Sequence, residues 1–276
     1  MRYLVSTACN ERFEGFLIND WLKSLKDNVD LSETDVLVLD FGLSEKVKSI
    51  LSNSGVLVRK CTTPGKIVNT RFVELLAFLK ENPDYDQIMM CDSGDVIFQK
   101  DISELFKLSP DNFKAVCEDY RVPMDFFLTK SEISEELKRE IRKILNERRM
   151  INAGVLISPV DKFIKMSEFL VSNLKDLNVW GMDQLLINYY LYKNGFLELD
   201  KTYNFIPTTH LAGFIVKNGE FYFRTGEKIA IVHNAGNKKF IRPVRNFGYG
   251  RDKNKPKYFL IYLMRLLYRI ASFFER

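Results

Sequence analysis

The chain reads as an α/β domain built on a mostly parallel sheet. Three observations predict this. Apolar runs of strand length alternate with segments of helical spacing over about the first hundred residues, in the order β-α-β-α-β-α-β. That order calls for parallel strands joined by right-handed crossovers. The strand at 88–92 (Ile88-Met89-Met90-Cys91-Asp92) is apolar along its length, as strands covered on both faces are. And it ends in a turn carrying two carboxylates, at the edge where such sheets hold ligands.

Taken in order, residues 2–9 (RYLVSTAC) form the first strand, and Asn10 and Glu11 lie at its end. Residues 13–25 set Phe16, Leu17, Trp21, Leu22 and Leu25 at helical spacing. Residues 35–41 (DVLVLDF) are the second strand, and Ser44 opens a helix with Val47, Ile50 and Leu51 inside. The third strand spans 56–61. The next helix, 66–79, carries Phe72, Leu75, Leu76 and Leu79 on one face. The fourth strand runs into Asp92-Ser93-Gly94-Asp95, and the apolar run Val96-Ile97-Phe98 follows.

The second half changes character. Residues 115–118 are a short strand and 131–149 a charged helix. Residues 150–158 (MINAGVLIS) are apolar with Asn152 and Gly154 inserted. Pro159 then starts a helix, where proline is tolerated in the first turn. A helix over 182–192 opens with Asp183. Residues 196–205 and 220–223 read as strands, and 228–233 (KIAIVH) is a strand that ends on His233. With no linker before Gly248, residues 1–250 are expected to form one domain, and 251–276 a basic amphipathic helix appended to it.

Composition narrows the class. The chain has 276 residues, 46% hydrophobic and 28% charged, enough for a substantial core. Cys9, Cys61, Cys91 and Cys117 stand singly beside apolar runs, with no CxxC pair. That argues for reduced, packed thiols and a cytoplasmic location, and against a zinc knuckle. The chain begins directly with a strand, without a signal-peptide pattern or a long apolar span. Residues 237–276 hold eleven Lys or Arg against two Asp or Glu, so the rest of a chain of net charge +5 is acidic. A nucleic-acid binder would not concentrate its charge this way.

Chemistry-bearing residues recur at predicted strand and helix ends. Asp92 and Asp95 repel unless a positive group lies between them, and a divalent cation with oxygen ligands would serve. The plainer reading is a turn capped by its own Asp and Ser. His233 ends an apolar strand and is followed by Asn234-Ala235-Gly236-Asn237-Lys238-Lys239, where a glycine permits close approach and lysines suit phosphate oxygens. Asn152 in a buried strand needs a partner for its amide. Asp183 suits a helix start, but that does not account for Gln184. Arg71 lies within the helix before the carboxylate strand. His210 reads as a loop residue.

In this order, Asp92-Ser93-Gly94-Asp95, Asn152-Ala153-Gly154-Val155-Leu156, Asp183-Gln184 and His233-x-x-Gly236-x-x-Lys239 resemble the retaining GT-A glycosyltransferases of family 8, the glycogenin and lipopolysaccharide-galactosyltransferase family. The resemblance implies a Rossmann-like GT-A fold with a mixed, mostly parallel central sheet. It also implies a nucleotide-sugar donor, usually a UDP-sugar, and Mn²⁺ or Mg²⁺. By the same resemblance Asp95 and His233 would ligate the metal, joined by Asp92 if the turn allows. The family places one residue between its two acids; here there are two, Ser93 and Gly94. Asn152, Ala153 and Gly154 would hold the donor sugar or acceptor, Asp183 a sugar hydroxyl, and Gln184 the reacting face of the anomeric carbon. Gly236 and Lys239 would contact the diphosphate, Arg71 the donor sugar, and Thr7, Ala8 and Asn10 the nucleoside.

Two expectations complete this reading. No carboxylate pair suggests a double displacement, so the transfer would proceed on the front face, with the leaving diphosphate helping to deprotonate the acceptor. The tail, 256–274, reads as one helix with Arg265 and Arg269 on a narrow polar stripe, preceded by Lys253, Lys255 and Lys257. Residues 253–274 would lie on an anionic membrane surface, on the inner face of the cell membrane, near a glycan or glycolipid acceptor of the cell envelope. Docking on the protein or on the other copy of a homodimer is the competing use of that helix. A catalytically inactive, membrane-associated nucleotide-sugar binder is the alternative function.

Overall fold

The computed structural model describes residues 1–129, 131–236 and 240–274. Seven strands form the central sheet: β1 (Tyr3–Cys9), β2 (Thr34–Asp40), β3 (Leu57–Lys60), β4 (Gln87–Cys91), β6 (Lys114–Arg121), β7 (Arg149–Pro159) and β8 (Leu197–Glu198), with β5 (Val96–Phe98) lying outside it. Their order is β3-β2-β1-β4-β7-β6-β8. The first four are parallel, β7 is antiparallel to both β4 and β6, and β8 is parallel to β6. One strand of seven therefore runs against the rest, a mixed and mostly parallel sheet.

Continuous apolar runs are explained by burial on both faces. Along the strands Leu4, Leu37, Leu39, Ile88 and Met90 enter one core, with Phe72, Leu75 and Leu79 of the helix Ile67–Glu81. The alternate residues Val5, Val36, Val38, Met89 and Cys91 enter the other, with Leu17, Trp21 and Leu25 of the helical stretch 11–28. All four cysteines are free and buried. Burial pushes the Cys9 thiol up to about 11 and Cys61 up to about 12, so these thiols are packing groups.

The second half departs from several expectations. The charged helix spans only Glu135–Leu145, its N-terminus capped by Ser134, whose Oγ accepts from Leu137 N at 3.2 Å. Glu147 takes a left-handed φ of 58° and turns the chain into β7, so Arg149 is a strand residue. Residues 196–205 are not one strand: Asp200 Oδ1 accepts from Thr202 N at 2.8 Å and opens a 3₁₀ turn, Lys201–Tyr203. A strand not anticipated, β9 (Phe214–Lys217), pairs with β10 (Glu220–Phe223) through Asn218 and Gly219, both at positive φ, a two-residue hairpin turn. The strand ending on His233 is only β11 (Ile231–His233), and it pairs antiparallel with β5.

The last helix is Tyr258–Phe274. Its start is set by the pairing of β12 (Val244–Arg245) with β13 (Lys255–Pro256). Arg265 points into the body, donating from Nε to Pro207 O (3.0 Å), from Nη1 to Leu211 O (3.2 Å) and from Nη2 to Ala212 O (3.0 Å). Tyr120 Oη donates to Arg265 O, and Ile261 is buried. Of the polar stripe Arg265 is docked, while Arg269 is exposed. Phe259, Leu263, Leu266, Leu267 and Ile270, a single helical face, are exposed, Phe259 at 83%. Among the described residues no helix is long and apolar enough to cross a membrane.

Candidate active site

Three strand ends build the site. β4 delivers Asp92, whose N–H donates to Gly154 O at 3.0 Å and so continues the ladder to β7. Ser93 turns away: its Oγ donates to Ala8 O at 2.8 Å, and the side chain is buried. Gly94 lies against Phe13, where an added Cβ would come within 3.0 Å of the ring. The glycine lets the ring approach closely and has no unusual φ. The antiparallel pair β5–β11 then sets Val96 opposite His233, and Asn234 N donates to Asp95 O at 2.8 Å. The short ladder thereby carries His233 to the acidic turn.

Asp92, Asp95 and His233 converge. Their ligand atoms lie within 4.8 Å of one another. His233 Nε2 is 3.4 Å from Asp95 Oδ1 and 3.7 Å from Asp92 Oδ2. The wider DSGD turn does not prevent Asp92 from reaching the cluster, and Ser93 is not part of it. The imidazole tautomer follows from the hydrogen bonds behind it. Gly154 N–H donates to Asn152 Oδ1 at 2.9 Å, which fixes that amide. Asn204 Nδ2 donates to the same oxygen at 3.1 Å, so Asn204 presents Oδ1 to His233 Nδ1 at 3.2 Å. An oxygen there requires Nδ1 to carry the proton. In its neutral form the ring then turns an Nε2 lone pair to the space between the carboxylates, the form in which a histidine ligates a metal, and without a cation the same carboxylates favour a proton there. Two carboxylates and an imidazole fit a divalent cation.

Two arginines complete the electrostatics. Arg71 donates from Nη1 to Asp92 Oδ1, and its Nη2 lies 3.6 Å from Asp183 Oδ2. Arg242 donates from Nη2 to Asp95 Oδ2 at 3.0 Å. Burial works against ionisation of Asp95, but His233 and then Arg242 and Arg71 outweigh it and hold the carboxyl below its ordinary range. Burial likewise opposes charge on His233, yet Asp95 first and Asp92 next raise its pKa. Asp183 is pushed up to about 6 by burial, with Arg71 opposing. Glu118 is pushed up to about 7 by burial and donates nothing to the cluster directly; Asn152 Nδ2 bonds its Oε1 at 2.8 Å.

The remaining residues singled out in the sequence fall as follows. Thr7 is buried and spends its hydroxyl on Cys91 O at 2.7 Å. Ala8 is half-buried, and Asn10 Oδ1 is buried without a hydrogen-bond partner, as is Arg71 Nε. Two orphaned polar atoms beside the cluster are features a polar ligand would satisfy. Gln184 accepts from Ala153 N at 3.2 Å and donates to Ile151 O, so its amide braces β7. Gly154 packs under His233, where a Cβ would sit 2.3 Å from Cε1. Gly236 O accepts from Arg242 Nε at 3.1 Å. Lys239 lies outside the described residues. His210 is a buried loop residue held between Ile206 N and Cys117 O, its pKa lowered to about 4 by burial. Asn204, Arg242 and Phe13 were not anticipated.

The chain is similar to known proteins in sequence profile and in fold. The sequence matches the profile of glycosyl transferase family 8 over residues 21–240. No curated protein matches the chain in sequence. Among solved structures, galactosyltransferase LgtC in complex with donor and acceptor sugar analogues is similar at 20% identity and a TM-score of 0.54, over 90% of this chain and 92% of that one. An active-site mutant of LgtC is similar at 19% identity and a TM-score of 0.55, over 86% and 89%. The glycosyltransferase GlyE of Streptococcus pneumoniae TIGR4 is similar at 17% identity and a TM-score of 0.55, over 99% of this chain and 62% of that one. At these identities the structures report the fold, which is GT-A.

Proposed function

The chain belongs to glycosyl transferase family 8, and from that premise we propose that this glycosyltransferase moves a sugar from a UDP-sugar to a cell-envelope glycan or lipid-linked acceptor, with Mn²⁺ or Mg²⁺ and with retention. The observation that carries the metal-dependent part is the convergence of Asp92, Asp95 and His233, with His233 Nε2 turned to both carboxylates. A divalent ion there would supply Lewis-acid stabilisation of charge on the leaving diphosphate. Arg71 and Arg242 hold the two carboxylates in place. Asp183, paired with Arg71, offers an acceptor to a sugar hydroxyl.

Within a retaining reaction, the way the nearby carboxylates are spent favours a front-face route over a double displacement. Among the described residues, the buried carboxylates near the cluster are engaged: Asp92 and Asp95 with the arginines, Asp183 with Arg71, and Glu118 with Asn152. Gln184 is a carboxamide tied to β7 and is no nucleophile for a covalent intermediate. In a front-face transfer the sugar–phosphate bond breaks, the acceptor oxygen bonds the anomeric carbon on the same face, and its proton passes to a diphosphate oxygen.

The test is a donor screen with Mn²⁺ and a panel of UDP-, GDP-, ADP- and CMP-sugars, reading released nucleotide. The expected result is release from one UDP-sugar, lost with chelator and in His233→Ala. Silence across the panel, together with no binding of UDP and Mn²⁺ by calorimetry, would overturn this reading, whereas silence with UDP and Mn²⁺ bound would replace it with the inactive binder.

We place the protein on an anionic membrane surface through its last helix. Five apolar residues face outward on one side of Tyr258–Phe274, and Arg245, Lys253, Lys255 and Lys257 sit at or before its start. Apolar contact flanked by cations complements anionic lipid headgroups. The full chain is expected to co-sediment with vesicles containing phosphatidylglycerol and much less with neutral vesicles. No vesicle binding, with a doubled mass in solution, would assign the face to a second copy instead.

A further inference from the structure

Each acid of the cluster has one oxygen held by an arginine and the other turned to His233. Asp92 gives Oδ1 to Arg71 and Oδ2 to the cluster, while Asp95 gives Oδ2 to Arg242 and Oδ1 to the cluster. Arg71 belongs to the helix Ile67–Glu81, packed in the core. Arg242 has no such support from a regular element, yet its contacts are the more extensive. Nη2 bonds Asp95 Oδ2 at 3.0 Å, Nη1 bonds Gly94 O at 3.0 Å, and Nε bonds Gly236 O at 3.1 Å. Its guanidinium carbon lies 5.7 Å from the centre of the Phe13 ring, the same ring that packs under Gly94. The guanidinium therefore joins the acidic turn to the segment leaving β11.

This matters because the turn is one residue longer than the spacing the family shows. An extra residue leaves a backbone carbonyl and a free torsion between the two acids. Arg242 engages that carbonyl and the second acid together, with donors fixed in one plane. We propose that Arg242 is a positioning residue of the metal site, holding the longer Asp92-Ser93-Gly94-Asp95 turn so that Asp95 presents a single oxygen, Oδ1, beside His233 Nε2. The inference rests on the metal-dependent reading above.

Charge balance favours the same assignment. A divalent cation would cancel the two aspartates, which would leave the charge of Arg242 to offset part of that of a bound diphosphate, Arg71 being shared with Asp183. With nucleotide present the guanidinium therefore balances the site while it orients Asp95. Groups that hydrogen-bond a ligating carboxylate typically change metal affinity by about 10–100-fold when removed.

The test is Mn²⁺ binding, read as loss of the free-ion electron paramagnetic resonance signal on titrating protein in saturating UDP. Wild type, Arg242→Gln and Arg242→Lys are compared, with circular dichroism and melting temperature as checks of folding. Arg242→Gln is expected to raise the Mn²⁺ dissociation constant by about 10–100-fold. Arg242→Lys should recover part of the loss, because one ammonium cannot serve Asp95, Gly94 O and Gly236 O in the fork geometry. Arg242→Gln binding Mn²⁺ as tightly as wild type, or more tightly, would overturn the proposal and show a guanidinium that only competes with the ion. Arg242→Lys equal to wild type would overturn the positioning role and leave only charge. Wild-type protein that binds no Mn²⁺ would overturn the metal-dependent reading itself, and this proposal with it.

Discussion

Asp95→Ala is expected to lower metal-dependent turnover by about 10³-fold, the scale set by losing a group that stabilises charge developing in the transition state. The residue serves two neighbours at once: Oδ1 faces His233 Nε2 at 3.4 Å and Oδ2 accepts from Arg242 at 3.0 Å. Removing it leaves a guanidinium and an imidazole without their partner in a site where Asp95 is only 13% exposed. Breaking a buried pair by deleting one member costs about 3–5 kcal/mol, so part of the loss could come from stability. Asp95→Asn separates the two effects. It keeps the shape and an acceptor for Arg242 but removes the charge. Thermal unfolding and nucleotide release should be measured on both. The expected pattern is a melting temperature largely restored in Asp95→Asn with turnover still lost. Wild-type turnover in either variant would sink the assignment of Asp95 to the metal.

The site residues differ in how visible they are in the sequence, for physical reasons. Asp92, Asp95 and His233 stand where buried strands end or begin, and Gly154 interrupts one. A polar residue there breaks an apolar run and so announces itself. The parallel half of the sheet is legible for the same reason, since β1, β2 and β4 are apolar on both faces and the helices between them show one-sided patterns. The small pairs are not. β5 and β11 have three residues each and β8 two, and such pairs exist only because the surrounding fold presses them together. The β9–β10 hairpin did carry a signal, the Asn218-Gly219 pair between apolar runs.

Arg242 and Asn204 illustrate the opposite case. Arg242 is one of eleven basic residues in the last forty, and nothing local separates it from the others. Asn204 lies between aromatic residues, Tyr203 and Phe205, and takes its meaning from Asn152 and His233, far away along the chain. The last helix shows the same limit in another form. Its periodicity displays a polar stripe and an apolar face, but not which side meets the protein. Three carbonyls waiting at Pro207, Leu211 and Ala212 decide that, by taking the guanidinium of Arg265.

Gly154→Ala is the second large expected effect, and it tests the framework behind the metal cluster rather than a ligand. A Cβ at this position would lie 2.3 Å from His233 Cε1 and 2.9 Å from both His233 Nδ1 and Asn152 Oδ1. Neither neighbour is free to yield. His233 is held by the β5–β11 ladder and by Asn204, and Asn152 by Glu118 and the Gly154 N–H itself. Overpacking of this kind costs about 1–3 kcal/mol, and a displaced imidazole should weaken Mn²⁺ binding by about 10–100-fold. Gly15→Ala is the matched control, because the same methyl there meets nothing within 4 Å and a helical glycine gains about 0.5–1 kcal/mol on becoming alanine. The double variant Gly154→Ala/His233→Ala supplies the coupling. Removing the ring removes the closest clash and leaves the 2.9 Å contact with Asn152 Oδ1, so unfolding free energy should recover in part relative to Gly154→Ala alone while turnover stays lost. A Gly154→Ala protein with wild-type Mn²⁺ affinity would show that the imidazole is not fixed by β7, and the derivation of its tautomer through Asn152 and Asn204 would fall with it.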